Sequence, residues 1–101
     1  MNIQTSISHD QSLMRMSGRF DFNAHKVFRE TYQQLLDNSA VKSLTLDLSQ
    51  VEYLDSSALG MLLQPKEKAD ALNKVIRLQN CSQLAKDVLA IANFDKLFDI
   101  S

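Results

Sequence analysis

At 101 residues and a net charge of -1, the chain is long enough to bury one core without staples and carries no basic field for nucleic acid or anionic lipid. A hydrophobic fraction of 45% beside a charged fraction of 23% reads as a single globular domain over residues 1–101. The lone cysteine, Cys81, cannot close an internal disulfide. The polar start Met1 to Gln11 lacks a signal-peptide pattern, and no apolar run is long enough to span a bilayer. The expected location is the cytoplasm.

Ile3 to Ser8 alternates apolar and polar residues, as a half-buried strand does, with Ile3, Thr5 and Ile7 on one side. His9-Asp10-Gln11 fits a short turn, and Ser12 to Ser17 alternates again, so the two runs predict an antiparallel hairpin ended by Gly18. Arg19 to Asn23 reads as a loop with two phenylalanines around one carboxylate, and Asn23 as the cap of a following helix. Ala24, Val27, Phe28, Thr31, Leu35 and Leu36 recur at helical spacing, and Asp37-Asn38-Ser39 stops that helix.

Leu44, Leu46 and Leu48 alternate with Thr45 and Asp47, predicting a strand over Ser43–Leu48. Val51 to Leu63 then passes from the end of a β-region, through Asp55-Ser56-Ser57, into a helix expected to bury Leu59, Leu62 and Leu63. Pro65 interrupts this helix where a proline costs roughly 3 kcal/mol, which predicts a kink near Met61 to Gln64 or two helical pieces. Val75 to Gln79 reads as a short strand and Ser82 as a helix cap. Leu84, Ala85, Val88, Leu89 and Ala92 form an apolar helix face, and Phe94 to Ile100 a coda that packs back onto the sheet. The expected fold is α/β: a mixed sheet of about four to five strands with an N-terminal hairpin, right-handed crossovers and helices covering it. The Asp55 turn falls at the carboxyl end of a strand, where such sheets present their sites.

Enzymatic chemistry finds little support. Ser56 or Ser57 lacks a nucleophile elbow and an oxyanion motif, and neither His9 nor His25 has a triad context. The histidines and Cys81 lack metal-ligand spacing, and Gly18 and Gly60 alone make no phosphate-cradling loop, so neither metal nor cofactor is expected. Asp55-Ser56-Ser57 is open to two readings. It is a helix cap, or it is a modifiable hydroxyl where a helix leaves its first N–H groups without partners. Two adjacent hydroxyls, the acid before them and the separate acid Asp21 weigh toward the second. Asp21 alone reads equally as a turn acid, and Phe22 as core or as a partner contact.

The run Leu44-Thr45-Leu46-Asp47-Leu48-Ser49, followed by Tyr53-Leu54-Asp55-Ser56-Ser57-Ala58-Leu59-Gly60-Met61-Leu62-Leu63, resembles the signature of the STAS domain of bacterial anti-sigma factor antagonists. Gly18-Arg19-Phe20-Asp21, Ile76-Arg77-Leu78 and Ile91 to Phe98 extend the resemblance over nearly the whole chain. It is similar to stand-alone regulators of partner switching, including those tied to motility and biofilm control. The resemblance implies an unphosphorylated form that binds an anti-sigma factor with the histidine-kinase-like ATPase fold. That partner phosphorylates the first serine after the aspartate, here Ser56 with Ser57 as the alternative, and a PP2C-type phosphatase resets the domain. It further implies that Asp21 serves in partner binding and phosphorylation, and the expected partner surface comprises Asp21, Phe22, Asp55, Ser57, Leu59 and Met61. Ala58, where many members have glycine, and Pro65 depart from the pattern. STAS domains also serve as non-phosphorylated accessory subunits of membrane transporters, including lipid-transport ATPases, which is the alternative role. A small-ligand or nucleotide-binding domain is a third.

Overall fold

A computed structural model describes residues 1–101. Strands β1 (Asn2–Ser8) and β2 (Gln11–Phe20) form the N-terminal hairpin, and a 3-10 turn (Phe22–Ala24) leads into α1 (His25–Asp37). Then come β3 (Ser43–Leu54), α2 (Ser56–Ala71), β4 (Val75–Gln79), α3 (Gln83–Ile91), a second 3-10 turn (Phe94–Lys96) and β5 (Asp99–Ile100). The five strands lie in the order β1-β2-β3-β4-β5, antiparallel for the first pair and parallel thereafter. The expected mixed α/β sheet with an N-terminal hairpin is the observed one.

One contiguous core joins Met14, Met16, Leu44, Leu46, Leu48, Ile76 and Leu78 of the sheet to Phe28, Leu36, Leu62, Ala69, Ala85 and Leu89 of the helices. The strand period explains this, because alternate residues share one face. The opposite face carries Leu13, Arg15, Thr45, Asp47, Arg77 and Gln79, brought side by side by the register. Asp47 is the exception there at 3% exposure. Its carboxylate accepts bonds from the Ser49 N–H (2.9 Å), Asn80 Nδ2 (3.3 Å) and Arg15 Nε (3.5 Å). Burial alone would raise its pKa, but those donors, the Ser49 N–H first, bring it below the usual carboxylate range.

Several boundaries differ from the sequence reading, each for a physical reason. Gly18 ends the hairpin as expected, since the pairing with β1 stops at Ser17, but Gly18 does not end β2. Its φ of +96° lets β2 turn through a register shift and continue to Phe20, which is fully buried. Strand β3 runs past Leu48 to Leu54 because register shifts against β2 change the spacing of its core residues from two to three (Leu48, Val51, Leu54). Such a spacing imitates a helix. Val27 of the expected helix stripe and Ile7 of the expected half-buried strand are exposed, since no element packs over either.

Pro65 does not split its helix: α2 is continuous from Ser56 to Ala71. The proline ring is buried, with Leu62 and Ala69 on the same face wholly out of solvent. Tertiary packing holds the geometry that one missing hydrogen bond would loosen. Lys68 Nζ pairs with Asp37 at 2.9 Å, and Tyr32 Oη donates to Gln64 Oε1 at 3.4 Å, so α1 braces the segment around the proline.

Candidate functional site

The site is built where β2 and β3 leave the sheet together. Phe20 and Leu54 are register partners on parallel strands, and both side chains point into the core. The next residue on each strand is an aspartate. Asp21 (φ -131°, ψ -174°) and Asp55 (φ -118°, ψ -175°) share one extended conformation, and each caps the helical turn that follows. Asp21 Oδ1 accepts the Asn23 N–H at 3.0 Å, so Asp21 and not Asn23 is the capping residue of the first turn. A side chain in extended backbone just before a turn is placed to reach the donors two or three residues on.

Asp55 takes two donors. Its Oδ1 accepts the Ala58 N–H at 3.1 Å and the Ser57 hydroxyl at 2.5 Å. The Ser57 hydroxyl, then the Ala58 N–H, hold the Asp55 carboxyl below its ordinary range, so the acid is ionised at neutral pH. Ser57 is thereby spent on the cap and half-buried. Ser56, the first residue of α2, is exposed.

At the same end of the sheet, Phe22 is 63% exposed and its ring lies flat on His25, with centroids 4.4 Å apart and planes 13° off parallel. His25 Nδ1 is engaged by the Phe22 carbonyl at 2.8 Å, and His9 sits in the β1–β2 turn, away from the strand ends that carry Ser56. Neither imidazole stands ready as a base for Ser56. The polar groove of about 230 Å³ on the uncovered sheet face is lined by Ser6, Ser8, Gln11, Ser12, Leu13, Thr45 and Gln79. It lies toward the opposite strand ends and takes no part in this cluster.

The pattern of the chain matches the family model described as "Mlab, STAS domain" over residues 3–99. The chain belongs to the STAS-domain family. A STAS-domain-containing protein of Pseudomonas aeruginosa is 44% identical over 88 residues, covering 87% of this chain and 85% of that one. The anti-sigma factor antagonist SpoIIAA of Bacillus superposes in its unphosphorylated form with a TM-score of 0.82 at 18% identity, over 99% of this chain and 88% of that one. An anti-sigma factor antagonist of Mycobacterium paratuberculosis does so with a TM-score of 0.85 at 21% identity, over 98% and 83%. At those identities the superpositions establish the fold.

Of the residues expected to form the partner surface of this STAS domain, Asp21, Phe22, Asp55 and Ser57 gather with Ser56 at one pole. Leu59 is half-buried against the core at the edge of that pole. Met61 is a correction: at 5% exposure it is a core residue, because its position on α2 faces the sheet, and it offers no side chain to a partner. Two members of the pole went unread in the sequence. Arg19 stacks its guanidinium over the Tyr53 ring at 4.0 Å and reaches Asp21 with Nε at 3.5 Å. Arg19 and Tyr53 are register partners, a relation that only the strand pairing and its shifts reveal.

Proposed function

We propose that this STAS domain is an anti-sigma factor antagonist, bound to an anti-sigma factor kinase through the Asp21–Phe22–Asp55–Ser56 pole and released when Ser56 is phosphorylated. The observation that carries the reading is the division of labour between the serines: the cap consumes the Ser57 hydroxyl, and Ser56 stands exposed at the first position of the helix. The partner would be a serine kinase of the histidine-kinase-like ATPase fold. In the transfer, the Ser56 oxygen bonds to the γ-phosphorus of ATP, ADP leaves, and the hydroxyl proton passes to a base supplied by the kinase. A PP2C-type phosphatase would reset the domain by hydrolysing the ester.

The physics favours a switch that destroys the interface and spares the fold. Phosphorylation adds about −1.5 to −2 charges at neutral pH. In the free domain the positive end of α2 receives that charge, an effect of roughly 0.3–1 kcal/mol at an exposed site, while Asp21 and Asp55 oppose it. In a complex shaped around a hydroxyl, the dianion is desolvated without a partner, at a cost of several kcal/mol. A loss of about 4 kcal/mol is roughly a thousandfold in affinity.

A second reading keeps the fold and drops the phosphoacceptor, making the domain an accessory subunit of a membrane transporter. The match to a family model described as "Mlab, STAS domain" keeps this reading in place. Incubation with the captured partner and labelled ATP separates the two. Label on the wild type that disappears in Ser56→Ala supports the switch. An unlabelled domain held by a transporter ATPase supports the accessory role.

A further inference from the structure

The two edges of the sheet are treated differently. Strand β5 is only Asp99–Ile100, an edge too short to template another strand. Strand β1 spans seven residues, Asn-Ile-Gln-Thr-Ser-Ile-Ser, with no charge, no proline and no shift in its pairing to β2. Every residue of β1 except Ile3 is exposed, and no helix covers the strand. Natural sheets usually blunt such an edge with lysine, proline, a bulge or a covering segment, and β1 has none of these.

We propose that β1 is a homodimerisation edge that pairs antiparallel with β1 of a second copy. The sequence is self-complementary about Thr5. A two-fold axis normal to the sheet keeps each residue on its own face, so odd-numbered positions must meet odd-numbered positions. Centred on Thr5, this register pairs all seven residues: Asn2 with Ser8, Ile3 with Ile7, Gln4 with Ser6, and Thr5 with itself. Moving the axis by one residue in either direction separates the isoleucines and leaves strand ends unpaired. In the Thr5 register the exposed Ile7 (49%) meets Ile3 of the second copy twice, beside β-branched Thr5, on the side of the sheet that carries the helices. The product is one continuous sheet of ten strands. None of the Ser56 pole lies on β1, so each copy keeps its own site, and the dimer is bivalent for whatever binds there.

Sedimentation equilibrium of the intact chain from micromolar to millimolar tests this. The expected result is a mass rising from 11.4 kDa toward twice that value, with Thr5→Lys holding the monomer mass across the range. Thr5→Cys supplies a readout independent of that variant's folding. At the two-fold axis the paired Cα atoms stand about 4.5–5.5 Å apart, within disulfide range, so diamide should link this variant into a covalent dimer. The wild type is the control, because its Cys81 is buried. A wild type monomeric at every concentration, a dimer untouched by Thr5→Lys with its circular dichroism unchanged, or Thr5→Cys that fails to cross-link would each overturn the proposal.

Discussion

Asp55 receives the Ser57 hydroxyl at 2.5 Å, and that one bond separates two serines that are neighbours in sequence. Ser57 is held and half-buried, while Ser56 is exposed. The same acid, ionised and carrying the Ala58 N–H as well, starts the helix. Capping by one serine and exposure of the other are therefore one arrangement, and the two readings of Asp55-Ser56-Ser57 do not compete.

Phe22 and Asp21 should be separable in partner binding. The Phe22 ring lies on the surface against His25, so Phe22→Ala removes an exposed aromatic and leaves the core intact. Calorimetric titration with the partner should show a loss of 1 kcal/mol or more, roughly fivefold or greater in Kd, with the melting temperature near wild type. Asp21→Ala should weaken binding too, but with a loss of stability of about 1 kcal/mol, because it also removes the acceptor of the Asn23 N–H and the pairing with Arg19.

Pro65→Ala weighs two opposed terms. The substitution restores a helix hydrogen bond and removes a clash, together about 3 kcal/mol in an ideal helix. It also empties part of a buried site, at about 0.8 kcal/mol for each CH₂ lost. The expected net is a stabilisation of about 1 kcal/mol in urea unfolding. A destabilised variant would mean that the ring's packing against the core outweighs the backbone term.

Much of this architecture is legible in the chain. Leu44, Leu46 and Leu48 announce the central strand, Ser82 caps α3 as read and accepts the Ala85 N–H at 3.2 Å, and the coda does return to the sheet as β5. What escaped depends on pairing. The register shifts in β3 replace a spacing of two with a spacing of three, so its second half does not look like a strand. The placing of Asp21 and Asp55 at the same strand ends, and the meeting of Arg19 with Tyr53, follow from β2 lying parallel to β3 in one particular register, which no local pattern encodes. Met61 belongs to the core because it lies one position before Leu62 on the face of α2 that packs inward, whereas the expected face of Leu59, Leu62 and Leu63 left it out.

Asp47 should shape the acid limb of stability. Hydrogen bonds to its ionised form outweigh burial, so its folded pKa lies below the unfolded one. Its contribution is complete above the unfolded value, about pH 4, and is lost as pH falls through the folded value. Urea midpoints measured between pH 6 and 2 should fall more steeply for wild type than for Asp47→Asn, whose side chain has no charge to lose. Parallel curves would show that Asp47 is not a source of the acid sensitivity.

The most direct test of the switch is the affinity of the kinase partner for the domain before and after stoichiometric phosphorylation of Ser56, with the melting temperature recorded on both samples. The account predicts an affinity at least a hundredfold weaker for the phosphorylated form, a melting temperature within a few degrees of the unmodified one, and Ser56→Ala binding as tightly as wild type. Equal affinity for the two forms, or a phosphorylated domain that has lost its fold, would contradict it.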